Sequence, residues 1–429
     1  MLSGSGHGER RVKIHPGGIG EAFADRNFRI HTVGSIASWL SFFIQEVAVS
    51  WTAWELTHST TWLAIIALIE IVPNVLILPW GGVLADRVDR FWINLITAVL
   101  ALFQALALTV LATSGALTIW WLAILVALQG TIHGFSIPAQ FGMLPRFIAR
   151  SRLSAAIAVN AAYTQFAIFA GPAVAGWLIH GFGTATAFAS NIVGYAIYIA
   201  TVLCLKTPPD FQPPVPSGRP VHQDLWDGVR YILGHRGIRT LLLLALVGDA
   251  MGNGIYEMLP AYADQVLGRG VGGMSALMTA GGLGATFAAL WLAHRGSKAV
   301  PPERVLWAFL GYTIAIAWLV LVDQLVLALA AMVAFGIFGE IRRTGTVTLL
   351  QLSIAKSQRG RVMATHFLLQ RVAAGLGTLL VGTTAEHYGL RLPILVAVGL
   401  SLLAWALTFR RRQAMVEAFA VPAAQAAGS

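Results

Sequence analysis

Eight ionisable side chains stand inside otherwise apolar stretches of the chain: Glu46, Glu70, Asp249, Glu257, Glu340, Arg342, Arg343 and Arg371. In a lipid bilayer an ionised group at the midplane costs at least about 2.5 to 3.5 kcal/mol on insertion scales. Each is therefore a candidate for binding a solute or carrying a proton unless a neighbour neutralises it. Desolvation favours the neutral form of a carboxyl, so Glu46 or Asp249 is expected to hold a proton and release it when water reaches it. Asp249, Asn253 and Glu257 are spaced i, i+4, i+8 and form one polar stripe on a helix that Gly248, Gly252 and Gly254 weaken. Glu340 and Arg343 stand at i, i+3, a spacing that also allows simple mutual neutralisation. Glu70 precedes Pro73 by one turn and has Arg371 as a candidate partner. His133 reads either as a proton relay or as a packed neutral histidine between Gly130 and Gly134. Gln45, with Ser38, Ser41, Gln129, Trp39 and Trp51, suits an amphipathic ligand, although tryptophans also gather at membrane interfaces.

The elements that must position these groups are membrane-spanning helices. With 57% hydrophobic and 11% charged residues in 429, the chain lacks the polar surface to enclose a water-soluble globule. A hydrocarbon core of about 30 Å needs about 20 apolar helical residues, and twelve stretches qualify. They run over 30–56, 61–84, 91–112, 118–141, 154–179, 184–205, 239–262, 271–293, 305–322, 325–349, 363–385 and 391–409. An even count puts both ends on one side. Alternate loops taken as cytoplasmic, with the two tails, hold every one of the 29 Lys and Arg residues except Arg269, Arg391, Arg342, Arg343 and Arg371, as basic retention on the inside requires. The net charge of +10 thus reflects topology rather than a nucleic-acid partner. The tail 1–29 leads directly into a full-length span, so no cleaved signal peptide is expected. A single cysteine, Cys204, allows no internal disulfide or thiolate cluster.

A Pro-rich linker, 206–238, separates spans 30–205 from spans 239–409, and 410–429 forms a second tail. Gln223 to His235 within the linker is expected to form an interfacial helix. The two halves match at a constant offset of 206 residues: Ile148-Ala-Arg-Ser with Ile354-Ala-Lys-Ser, and Gly130, Gly171, Gly176 and Gly183 with Gly336, Gly377, Gly382 and Gly389. Parallel six-span repeats place a substrate site at their interface near the midplane, with access alternating as one half rocks against the other. The expected fold class is therefore an all-α membrane protein of twelve transmembrane helices in two pseudo-symmetric halves.

After the second span, Gly82-Val-Leu-Ala-Asp-Arg-Val-Asp-Arg90 resembles the G-x-L-a-D-r-x-G-r signature of the major facilitator superfamily, with Asp89 at the second glycine. Ala293-His-Arg-Gly-Ser-Lys298 is a weaker copy in the equivalent loop. Gly171-Pro172-Ala-Val-Ala-Gly176 is similar to the GPxxGG motif of the superfamily's antiporters, with Ala167 and Ala175 in place of glycines. Further phrases, among them Gln351...Arg359-Gly-Arg-Val-Met363, resemble the bacterial branch of siderophore and macrolide exporters. The resemblance implies a cavity lined by spans one, four, seven and ten. It also implies a conformational latch in which Asp86 meets the helix N-terminus near Val362 and Arg87 and Arg90 pair across the halves. Val126 stands where many proton-coupled members carry the arginine of R-x-x-Q-G, so coupling through that residue is excluded.

No G-x-x-x-x-G-K-[ST], H-E-x-x-H or G-x-S-x-G occurs, so neither ATP hydrolysis nor enzymatic hydrolysis is expected. The leading expectation is a monomeric secondary exporter of small amphipathic compounds, drug or siderophore, driven by the proton gradient in a bacterial inner membrane, without cofactor or resident metal. A metal or other cation carrier, with hard oxygen ligands, and a non-transporting sensor or scaffold on the same fold remain open.

Overall fold

The computed structural model describes residues 23–148, 153–205, 221–295, 301–355 and 358–413. Among them are twelve helices long and apolar enough to cross a membrane. The first six are α1 (Arg26–Thr57), α2 (Thr60–Arg87), α3 (Arg90–Thr113), α4 (Ile119–Phe147), α5 (Leu153–Phe182) and α6 (Thr184–Leu203). A short linker helix, α7 (Val221–Gly234), precedes α8 (Arg236–Glu257), α9 (Gly270–Arg295), α10 (Pro302–Leu321), α11 (Leu325–Ser353), α12 (Arg359–Tyr388) and α13 (Arg391–Arg410).

Short polar side chains start several of these helices by accepting from amides that have no partner within the first turn. Asp25 caps α1 at Asn27 N (2.8 Å), Ser59 caps α2 at Trp62 N (3.3 Å), and Asp89 caps α3 at Phe91 N (2.9 Å). Asp25 explains why α1 begins four residues before the expected start at residue 30. The seventh span differs at its other end. α8 stops at Glu257, and the chain continues through Leu259–Ala261 into a π-helical turn, Tyr262–Val266. Pro260 has no amide hydrogen to extend the α8 ladder.

Helix pairing repeats between the halves. α2 packs on α4 as α9 packs on α11, α1 packs on α5 and α6 as α8 packs on α12 and α13, and α3 packs on α6 as α10 packs on α13. The halves meet along α5–α9 and α2–α12. The glycines matched at offset 206 do matching work. A Cβ on Gly130 would sit 2.2 Å from the Glu70 carbonyl oxygen, and one on Gly336 2.0 Å from that of Gly281. A Cβ on Gly377 would sit 2.0 Å from the Ala250 carbonyl oxygen, and one on Gly171 2.4 Å from Phe43 Cβ. Gly176 and Gly382 admit Ser275 and Ala64 across the two inter-half seams. Gly183 and Gly389 close helix connections at φ of 84° and 73°, a region that favours glycine.

The apolar packing is polarised along the membrane normal. One large cluster joins both halves, with Val47, Trp54, Leu63, Leu122 and Phe188 from one and Met258, Leu277, Ile316 and Ala385 from the other. All lie toward the face opposite α7, called here the far face. Toward the linker face the cores are separate: Leu241, Phe309, Leu350 and Val362 with Ile232 of α7 in one half, Phe28, Met143 and Ala156 in the other. The halves are thus fused at the far face and parted at the linker face. α7 lies on α12, where Gly228 admits Thr365 and Asp227 meets Arg361 at 3.4 Å.

Overpacking a tight core costs about 1 to 3 kcal/mol, and a backbone carbonyl cannot step aside. Gly377→Val and Gly336→Val are therefore expected to lower the detergent-solubilised melting temperature and the folded yield sharply. Gly399→Ala, where a Cβ meets nothing within 4 Å, should leave both unchanged in a fluorescence melting assay.

Candidate functional site

Where the two cores part, a cavity of about 410 Å³ lies between the halves. α1 contributes His31, Ser35 and Trp39, α5 contributes Asn160, Tyr163 and Gln165, and α11 contributes Glu340 and Arg343. The expected i, i+3 pair is formed: Arg343 Nη2 and Nε reach Glu340 Oε2 at 2.7 and 3.2 Å, and Thr344 Oγ1 donates to Oε1. The pair is lopsided. The Glu340 side chain is 7% exposed and that of Arg343 53%, so the cavity sees guanidinium while the carboxylate stays behind it. Beside Trp39 and Tyr163 this makes a wall rich in hydrogen-bond donors and aromatic surface.

Further toward the far face the remaining acids gather. Glu46 of α1, Glu70 of α2 and Glu257 of α8 are half-buried and within electrostatic reach of one another, and Arg371 of α12 is within reach of Glu46. Four helices from both halves therefore bring ionisable groups to one level. Glu70 Oε1 lies 3.5 Å from His133 Nδ1, so the histidine, rather than the expected Arg371, is its neighbour in ion-pair range. The cause is local: Gly130 and Gly134 let α4 ride directly on α2, against Glu70 and Ile77, which carries His133 to Glu70. The flanking glycines and the carboxylate contact belong to one arrangement, and Phe42 covers the ring at 5.0 Å.

Two expected cavity residues are placed elsewhere. Asp249 is buried in an ion pair, its Oδ1 2.7 Å from Arg342 Nη2, while Arg342 Nη1 donates to the Ala245 carbonyl and its guanidinium lies 4.9 Å over the Tyr312 ring. Gly248 leaves room for that guanidinium. The stripe Asp249, Asn253, Glu257 therefore divides. Eight residues of α-helix turn the direction by about 80°, so Asp249 looks into its own half while Glu257 reaches the acids. Asn253 between them is half-buried. Gln45 is fully buried. Its Nε2 donates to Gln104 Oε1 (2.9 Å) and to Gln129, and its Oε1 accepts from Asn191 (2.9 Å), a network of buried amides across α1, α3, α4 and α6. A side chain so fully engaged holds its half together and is not part of the cavity wall.

Sequence reasoning did not anticipate the surroundings of Arg342. Tyr312 of α10 and buried His366 of α12 stand with it and Asp249. The only cue was that Asp249 and Arg342 are both charged residues within spans.

At the signature loop, Arg90 Nε donates to the Ala85 carbonyl at 3.1 Å and Asp89 caps α3. Space is open around Gly82. The side chains of Asp86 and Arg87 lie outside the described residues. In the antiporter-like stretch, Gly171 seats α5 on α1, Pro172 stands inside α5, and Gly176 sits at the α5–α9 seam. Among the described residues no group of three or more His, Cys, Asp or Glu side chains is placed to hold a metal ion.

Removing one partner of a buried ion pair costs about 3 to 5 kcal/mol, whereas replacing both with apolar residues can be neutral. Arg342→Met or Asp249→Leu alone should destabilise strongly in thermal unfolding, and the double variant should recover most of the loss. Equal, additive losses would show that the two side chains act independently.

A family model described as "Transmembrane secretion effector" matches residues 21–426. A Staphyloferrin A transporter of Staphylococcus aureus is 23% identical over 83% of this chain and 89% of the relative. An uncharacterised MFS-type transporter of Bacillus subtilis is 25% identical over 42% of this chain and 40% of its own. Among solved structures, a POT family transporter in complex with a thioalcohol-conjugated peptide superposes with a TM-score of 0.71 at 11% identity, over 91% of this chain and 96% of the other. A bacterial homologue of the human lysosomal transporter Spinster, titled inward-facing and occupied, gives 0.67 at 14%, over 91% and 97%.

Proposed function

We propose a function from the premise that the chain belongs to the major facilitator superfamily, in the family of transmembrane secretion effectors, and is a transporter of small solutes rather than an enzyme. The proposal is proton-coupled export of small amphipathic compounds, siderophores among them, by alternating access. One observation carries it: Glu46, Glu70, Glu257 and Arg371, drawn from both halves, converge where the fused far-face core meets the cavity.

The linker face is taken as cytoplasmic because the basic loops gather there, which puts both ends of the chain inside a bacterial inner membrane. The cavity then faces the cytoplasm. A solute loads between Trp39, Tyr163 and Arg343, with the guanidinium held by Glu340, whose carboxylate Thr344 anchors in turn. Beyond it the acids form the proton site. Carboxyls brought together from both halves can exchange a proton with water when a change of access opens the site. His133, in contact with Glu70, is the exchange partner. When the halves rock, Asp86 takes its place on the N-terminus of α12, where free amides and the helix dipole favour an anion. That latch holds the outward-facing state. The resemblance to a Staphyloferrin A transporter supports a siderophore as solute, and the family description supports secretion. A cavity formed between the two halves of one chain supports a monomeric carrier.

The test is transport into inside-out vesicles or proteoliposomes with the purified protein, using a siderophore or a lipophilic cation under an imposed pH gradient. Uptake should collapse with a protonophore. Glu46→Gln and Glu257→Gln should lower gradient-driven uptake about a hundredfold while keeping most solute binding. Uptake indifferent to both the protonophore and these substitutions would overturn the coupling.

A further inference from the structure

At the far face two carboxylates reach across the halves: Asp264 accepts from Trp54 Nε1 at 3.0 Å, and Glu386 meets the start of α2. Glu386 stands in the last turn of α12, and its Oε2 lies 3.0 Å from Ser59 Oγ, 3.0 Å from Thr60 Oγ1 and 3.2 Å from the Thr61 amide nitrogen. Ser59 is the N-cap of α2, and Thr60 and Thr61 are its first two residues. The carboxylate thus accepts from hydroxyls and from one of the amides that a helix start leaves without an internal partner. It also sits at the positive end of the α2 dipole. Thr60 Oγ1 is in addition 2.8 Å from the Gly382 carbonyl oxygen, so its one hydrogen is shared between two acceptors on α12. The missing side chain of Gly382 lets the α2 backbone come this close, since a Cβ there would lie 2.7 Å from the Thr60 carbonyl oxygen.

Within its own helix Glu386 is badly placed, because the C-terminal end of α12 carries the negative end of the dipole. Its favourable partners come from the other half, so the interaction rewards closure of the far face and nothing inside the C-terminal half. The duplication does not require it. The residue at offset 206 is His180, which lines a groove of about 540 Å³ with Gly176 and Ser275 at the α5–α9 seam. The far face is therefore held by Glu386 on the α2–α12 side and by the Trp54–Asp264 hydrogen bond from α1 to the turn after α8, while a histidine stands at the position that matches Glu386. The superfamily signature expects the reciprocal arrangement at the opposite ends of the same antiparallel helices, Asp86 of α2 on the start of α12.

We infer that Glu386 is a positioning residue for transport: seated on the N-terminus of α2, it holds the far face shut while the cavity faces the linker side, and it must leave that seat each time the far face opens. α2 and α12 then form a seesaw with an acid-on-helix-start contact at either end, only one made at a time. This rests on the alternating-access reading and not on the choice of solute or coupling ion.

The experiment is accessibility of a cysteine behind the gate, in full-length protein reconstituted in liposomes. In a Cys204→Ser background, Ala64→Cys, buried against Gly382, is labelled by a membrane-impermeant maleimide from the far face. Because Glu386 accepts three hydrogen bonds as a charged group, Glu386→Ala should raise the labelling rate about tenfold or more, with Glu386→Gln smaller. Thr60→Val, which removes a donor from the other side of the contact, should raise it too, and the two effects should be less than additive. Melting temperatures of the variants separate gate opening from unfolding. Labelling that matches the parent in folded Glu386→Ala and Thr60→Val protein overturns the proposal. Because the readout uses neither solute nor proton gradient, failure of proton-coupled export leaves it standing, and its own failure leaves the acid cluster untouched.

Discussion

An ionised side chain cannot rest in hydrocarbon without a partner or water, and the architecture of this protein follows from that cost. The chain meets it in three ways. Asp249 and Arg342 meet it by pairing inside one half, with Tyr312 beneath the guanidinium. Glu340 meets it by pairing with Arg343, which in turn faces the cavity. Glu46, Glu70 and Glu257 are left near one another at the junction of the halves, where only a proton, a cation such as Arg371 or access to water can relieve them. The first arrangement is closed within one half, the second puts a guanidinium on the cavity wall, and the third, on the proposed function, is the one open to proton exchange.

The apolar packing decides when that instability is exposed. One continuous core fuses the halves at the far face and separate cores serve them at the linker face. The structure is thus continuous across the halves at the far face and parted between them at the linker face. Glycines matched across the repeat set how closely the helices approach within each half and across the seams. Carbonyl oxygens at about 2 Å from where a side chain would begin leave no slack. The halves therefore behave as stiff bodies, and motion is directed to the seams α2–α12 and α5–α9. Glu386 and Thr60 add a polar closure to the first of these seams.

Much of the fold was legible because its determinants are local or periodic. Span lengths, alternating basic loops and the 206-residue glycine register are properties of the chain read in order. The Glu340–Arg343 pair was legible for the same reason, lying one turn apart. Asp249 was misplaced because its partner is 93 positions away. The i, i+8 spacing already implies about 80° of drift between Asp249 and Glu257, but not which neighbours the two then meet. Gln45 misled in the same way: grouped with Gln129 and nearby serines and tryptophans it suits an amphipathic ligand, but its partners Gln104, Gln129 and Asn191 come from three other helices. Glu386 drew no attention because it sits near the end of a span, where an acid costs little. Its significance lies in the helix start that faces it.

Alternating access requires the halves to move as bodies, one face opening as the other closes. Double electron–electron resonance in liposomes tests it most directly. One pair of spin labels goes at Ile157 and Leu352, exposed on α5 and α11 toward the linker face, and a second at Leu56 and Tyr388, exposed at the far ends of α1 and α12. The account predicts two populations for each pair with opposite responses: conditions that shorten the linker-face distance lengthen the far-face distance, and adding solute or changing pH shifts the balance without creating a third population. A single distance for each pair that stays fixed under every condition, or two distances that lengthen together, would contradict it.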